Sequence, residues 1–169
     1  MYRIATAVVL GALALGTATA HADDTLDALL RAKPAAHAAA LKLPAPPRAQ
    51  ALVPVARDGE MRFLIDAASL SRASSTELRY TLVARSDHGA DNVSYEALDC
   101  ARMAWRVEAL WQRGAWQRQP MASWIPIDPG LAGVHGALYD GELCSDGQGR
   151  GSVAQMLQRL RHVPRGAGG

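Results

Sequence analysis

The chain has 169 residues, with 18 basic and 16 acidic side chains and a formal net charge of +2. A balance so close to neutral argues against a dedicated nucleic-acid binder, which needs a basic patch to neutralise phosphates. The length remaining after an N-terminal leader fits one domain, and two cysteines allow a single intramolecular bridge.

Residues 1–22 read as a secretory signal peptide: Arg3, an apolar run over 4–15, then small residues ending Ala20-His21-Ala22. The apolar run is shorter than the roughly 20 residues a membrane-spanning helix needs, so cleavage after Ala22 is expected. No cysteine follows for lipid attachment, so no membrane anchor is expected after cleavage. Loss of Arg3 leaves 17 basic against 16 acidic residues, a mature charge of +1. Localisation is expected to be periplasmic or secreted, where thiols oxidise. A Cys100–Cys144 disulfide would close a loop of about 45 residues and contribute about 4 kcal/mol by chain entropy. The alternative, a reactive thiol, lacks a CxxC pair and a nearby histidine.

Residues 23–50 are rich in alanine and proline. Leu26, Leu29 and Leu30 mark a short amphipathic helix that Pro34 interrupts. Pro44-Ala45-Pro46-Pro47 is incompatible with a helix interior or a central strand. The segment is read as an extended N-terminal arm, either wrapping the domain or loosely ordered, with a linker as the plainer reading than a partner-docking arm.

An α+β domain is expected over 51–163. Apolar residues 51–55 and 61–65 flank Asp58-Gly59 as a first hairpin, with Asp66 ending the strand and 67–72 turning Leu70 onto the core. Over 77–85, Leu78, Tyr80, Leu82 and Ala84 alternate with Arg79, Thr81, Val83 and Arg85, the pattern of a half-buried strand. After a polar connection in which Gly89 takes positive φ, a second strand over 92–100 sets Val93, Tyr95 and Ala97 opposite Ser94, Glu96 and Leu98. Residues 101–112 fit helix or strand. Strand is preferred because Trp105, Val107 and Trp111 share one face at period 2 and Gly114 provides a tight turn into 115–118.

Residues 124–127 follow as an edge segment, because Pro126 lacks an N–H. A short helix over 136–143 presents Cys144. After Gly147, Gly149 and Gly151, Ser152 and Gln155 form a capping box for a C-terminal helix over 152–162, with Val153, Met156, Leu157 and Leu160 as its apolar stripe. An unstructured tail is expected over 164–169. The resulting fold class is α+β: a single antiparallel twisted sheet of five or six strands, a C-terminal helix packed on one face, and one disulfide.

No catalytic set emerges. His37, His88, His135 and His162 have no ligand spacing, so neither metal nor cofactor is expected. Ser94 lacks a GxSxG elbow and reads as the solvent face of a strand. Glu96 and Asp99 are an odd number of residues apart and fall on opposite faces. Asp66 reads as a buried acceptor for turn N–H groups. Trp105, Trp111, Trp116, Trp124 and Tyr95 are the candidate ligand-binding aromatics, able to line a groove for glycan or peptide. With one phenylalanine in the chain, core packing is their plainer role.

The residues Arg62-Phe63-Leu64-Ile65-Asp66, Ser69-Leu70, Arg79-Tyr80-Thr81-Leu82-Val83, Asn92-Val93-Ser94-Tyr95-Glu96, Cys100, Trp124-Ile125-Pro126-Ile127, Ala137-Leu138-Tyr139 and Cys144 carry a resemblance. Together, over about 43–144, they resemble the cryptic neisserial protein-like family of exported β-proteobacterial proteins. More loosely, the layout is similar to surface-adhesin protein E-like domains, which are antiparallel sheets with a packed helix. The resemblance implies export and domain type and supplies no activity. The expectation is an envelope or periplasmic protein acting as a non-catalytic binding domain, its partner a protein or cell-wall component. The opposing reading is a small periplasmic hydrolase of carbohydrate or peptide. A pocket gathering Asp66, Ser94 or His135 with a second titratable group would favour the enzyme. An exposed aromatic face would favour binding, and an open sheet edge at Trp124 would favour strand addition.

Overall fold

The computed structural model describes residues 41–128 and 133–162; the expected signal peptide, most of the expected arm and the expected tail lie outside them. Six strands pair in sequence order as one antiparallel sheet: β1 (Leu52–Asp58), β2 (Met61–Arg72), β3 (Glu77–Ser86), β4 (Asp91–Asp99), β5 (Ala104–Gln112) and β6 (Ala115–Arg118). A two-residue β7 (Ile125–Pro126) pairs with the start of β5. Each strand feeds its neighbour through a short connection, as alternating segments separated by turn residues require. Gly89 (φ 84°) and Gly114 (φ 78°) supply the positive φ that two of these turns need.

A helical stretch follows, α1 (Val134–Ala137) running into a π-helical turn (Leu138–Leu143), then a small hairpin of β8 (Cys144–Ser145) and β9 (Gln148–Gly149). The chain closes with α2 (Val153–His162). The capping box forms in both directions: Ser152 N donates to Gln155 Oε1 at 2.8 Å and Gln155 N donates to Ser152 Oγ at 3.3 Å. Its stripe is buried as the spacing predicts, with Met156 and Leu160 inside the core and Val153 and Leu157 packed against it.

The two faces of the sheet differ. On the helix face, Ile65, Leu78, Tyr80, Leu82 and Leu98 pack against Leu138, Leu143, Met156, Leu160 and the Cys100–Cys144 disulfide. On the opposite face, a small cluster of Tyr95, Ala109 and Trp116 packs against Leu41 and Leu43 of the arm. We call this the arm face.

Two expectations are corrected by the strand pairing. β2 does not end at Asp66. It continues to Arg72 through an irregularity between Asp66 and Ser71 in its pairing with β3. Asp66 is buried there, and its Oδ1 accepts from Ala68 N at 3.0 Å, the acceptor role its position suggested. Ser69 Oγ bridges the irregularity, donating to Asp66 O and accepting from Thr81 N, both at 2.7 Å.

The second correction concerns β5. Trp105 and Trp111 do not share a face. Tyr95 pairs with Ala109 but Glu96 pairs with Val107, so Glu108 is an extra residue in β5. One inserted residue inverts the alternation beyond it. Trp105 therefore lies against the helix-face core, and Trp111 contacts Trp116 on the arm face.

Candidate functional site

Two clusters on the sheet gather the side chains that can carry function. The first centres on Glu96 on the helix face. Tyr80 of β3 is directly opposite Glu96 of β4, and Leu82 is opposite Ser94, so these side chains share the covered face. Glu96 is only 3% exposed. Its carboxylate accepts from Ser94 Oγ at 2.6 Å through Oε1, and lies 2.8 Å from His135 Nε2 through Oε2. The His135 ring stacks on Trp105, centroids 3.5 Å apart. The Tyr80 hydroxyl is buried and faces Glu96. Desolvation first, and then the negative charge of Glu96, holds the Tyr80 pKa well above the usual tyrosine value.

Ser94 is thus not solvent-face decoration. It points to the covered side and is bonded to a buried carboxylate, and the histidine that joins it comes from α1. In this arrangement Glu96 stands between Ser94 and His135. A serine nucleophile needs the histidine as its own hydrogen-bond partner; here the serine hydroxyl donates to the carboxylate. What the arrangement does directly is fasten α1 to the middle of β4, with one hydrogen-bond partner for each oxygen of the buried carboxylate. Tyr139 adds a second fastening, its hydroxyl donating to Cys100 O at 3.2 Å. Asp99 is separate, as its odd spacing from Glu96 predicts: its Oδ1 caps the following turn, accepting from Ala101 N and Arg102 N.

The second cluster lies on the arm face. Tyr95 is 4% exposed, its ring centroid 6.1 Å from that of Trp116, which meets Trp111 edge-on at 5.3 Å. Burial raises the Tyr95 pKa, partly offset by a hydrogen bond with Ser71 and by the charge of Arg79. Onto these rings comes the arm in an extended course. Leu41 is buried, Lys42 exposed and Leu43 half-buried, a period of two. Trp116 Nε1 then donates to the Pro44 carbonyl at 2.9 Å. Residues 41–44, toward the C-terminal end of the segment read as a linker, are therefore docked on the sheet.

Toward the far end of the same face, Arg106 donates to Glu108 Oε1 at 2.8 Å and its guanidinium sits 4.4 Å from the Trp124 ring centroid. The five candidate aromatics are thus divided. Tyr95, Trp111 and Trp116 come together, Trp105 goes to the opposite face with His135, and Trp124 stacks under arginine.

Among the described residues no helix is long and apolar enough to cross a membrane, and no three His, Cys, Asp or Glu side chains are placed to hold a metal ion. A shallow groove of about 230 Å³ runs along Gln50, Ala51, Leu52, Val53 and Pro54 beside Leu160 and Arg161, and its lining includes no residue of either cluster.

A single antiparallel sheet, covered on one face by helices and a disulfide and carrying a docked peptide segment on the other, defines a small α+β domain. The chain belongs to the CNP1-like family, whose model matches residues 31–161. No curated protein and no solved structure matches it, so the looser similarity to surface-adhesin protein E-like domains has no counterpart in these comparisons.

Proposed function

We propose that the chain is an exported, non-catalytic interaction domain of the envelope or periplasm, which binds a protein or cell-wall partner through the arm face. One observation carries this reading: Tyr95 and Trp116, with Trp111 edge-on behind Trp116, already hold an extended peptide segment by an indole N–H and a buried leucine. Aromatic rings with one hydrogen-bonding edge are the usual anchors of binding surfaces, because they contribute large contact area at low conformational cost. Membership of the CNP1-like family and the Cys100–Cys144 bridge are compatible with export.

The hydrolase reading draws on the meeting of Ser94, Glu96 and His135. Their connectivity suits a structural fastening better than nucleophile activation, because the carboxylate is central and the serine is bonded to it.

Export is tested by mass spectrometry of protein from the native host, which should begin at Asp23 and contain no free thiol. Binding is tested by a photo-crosslinking residue at Trp111, with the same probe at the exposed Gln158 of α2 as control. A discrete adduct from envelope material with the first probe and none with the second is expected. Identical labelling from both, or none from Trp111, would sink the reading.

A further inference from the structure

We propose that the Tyr95–Trp111–Trp116 cluster is a recognition site for extended leucine- and proline-containing peptides of the Leu-x-Leu-Pro kind. Residues 41–44 of this chain occupy it as a self-ligand, which a partner peptide displaces. The proposal rests on the binding reading above and names the partner's chemistry.

The resident segment shows what the site selects. Leu41 and Leu43 enter the cluster while Lys42 faces outward, so selection is for an extended chain with apolar residues two apart. The Pro44 carbonyl takes the Trp116 N–H. The prolines that follow, Pro46 and Pro47, have fixed φ, so ordering such a segment loses less entropy than ordering a flexible one. An aromatic surface with a hydrogen-bond donor directed at the carbonyl of a proline-rich chain is a recurrent peptide-recognition chemistry.

The arm is also a ligand that can leave. Its anchors are two leucines and one hydrogen bond, on a patch whose buried sheet residues are Tyr95 and Ala109, whereas the helix-face core joins every strand from β1 to β5 to the helices and the disulfide. A contact of that size opens at far lower free energy than the fold as a whole. Bonding patterns support the same division: residues 41–48 form no strand with the sheet they cross, so release breaks no strand ladder.

The test uses the full chain carrying Leu41→Ser and Leu43→Ser, titrated with a synthetic peptide of residues 41–48 and followed by tryptophan fluorescence. We expect saturable one-to-one binding, at least tenfold weaker for the wild-type chain, whose own arm competes. Adding Trp116→Phe to the arm variant should weaken binding at least fivefold, and a peptide with both leucines replaced by serine should not bind. Absence of saturation by a folded arm variant overturns the proposal, as does equal affinity for wild type and variant.

Should the arm variant not fold, hydrogen exchange of the Trp116 indole N–H in the wild-type chain serves instead. Exchange much faster than that of the Leu82 and Val83 amides supports a displaceable arm, and exchange at their rate overturns it. Failure of the peptide with persistence of the Trp111 adduct removes this inference and leaves the binding reading standing. Loss of both removes both.

Discussion

Glu96 Oε2 lies 2.8 Å from His135 Nε2, joining the middle of β4 to the first turn of α1 across 39 residues of sequence. The carboxylate is buried, so its removal strands two polar groups, Ser94 Oγ and His135 Nε2, in a covered site. Glu96→Ala should lower stability by about 3 kcal/mol, the usual cost of breaking a buried pair from one side. Glu96→Gln keeps an acceptor for Ser94 and should cost less than half as much. Urea unfolding at neutral pH measures both, and a Glu96→Ala midpoint within error of wild type would refute the fastening role.

The Cys100–Cys144 bridge spans a sequence separation of 44 and packs inside the helix-face core. Cys144→Ala should lower stability by about 4 kcal/mol, mostly through the greater freedom of the unfolded chain. The Cys100→Ala, Cys144→Ala double variant should lose no more than the single one. Midpoints unchanged by reduction of the wild-type protein would contradict this.

Tyr80 is the buried group whose titration is most displaced. Its pKa is raised in the fold by desolvation and by Glu96, so the folded state keeps the phenol proton where the unfolded chain, with a pKa near 10, begins to release it. The contribution is therefore complete below about pH 10 and is lost as pH rises through the folded value. Stability should fall above pH 10, by up to about 1.4 kcal/mol per pH unit for one such group. Tyr80→Phe should flatten that slope, leaving the smaller share from Tyr95. Denaturation midpoints between pH 8 and 11 provide the comparison, and a Tyr80→Phe slope equal to wild type would exclude Tyr80 as the cause.

Gly149 lies where the β8–β9 hairpin meets β3. A Cβ there would approach Leu78 Cδ2 and the Arg72 guanidinium nitrogens to 3.0 Å, and the same guanidinium donates to Gly149 O. The leucine is fully buried and cannot yield easily. Gly149→Ala should destabilise by about 1–3 kcal/mol through overpacking, whereas Gly141→Ala, with nothing within 4 Å, should leave the thermal midpoint within a degree or two.

Trp116 joins the arm to the sheet. Trp116→Phe keeps most of the ring area and deletes the N–H that Pro44 O receives, so the global unfolding free energy should fall by about 1 kcal/mol or less. Proteolytic nicking within residues 41–48 should accelerate more than unfolding does. Unchanged nicking would indicate that the hydrogen bond does not restrain the arm.

Much of the architecture was legible in neighbouring residues. The alternation of Leu78, Tyr80 and Leu82 with Arg79, Thr81 and Val83 defined β3, and that of Val93, Tyr95 and Ala97 defined β4, because a strand turns successive side chains to opposite sides. Ser152, Gln155 and the stripe behind them defined α2, and Gly89 and Gly114 marked turns requiring positive φ. The cysteine pairing was available by count alone. The strand, turn and helix signals each rest on a few contiguous residues, and the bridge, though it joins distant residues, involves no choice between partners.

The function-bearing contacts are of another kind. Whether Trp105 and Trp111 share a face depends on Glu108 being an extra residue against β4, which is a property of register between two strands and leaves the local alternation intact. Ser94 and Glu96 face the core because Leu82 and Tyr80 sit opposite them, and His135 reaches them only once α1 has folded over that face. The Pro44 carbonyl finds Trp116 at a separation of 72 residues. The sequence by itself thus determined most strands, the turns and the helix, which follow from backbone preference and side-chain period, and the bridge, which follows from the cysteine count. The tertiary structure alone decided which side each aromatic occupies and which distant group each buried polar atom meets, because register and packing select those partners.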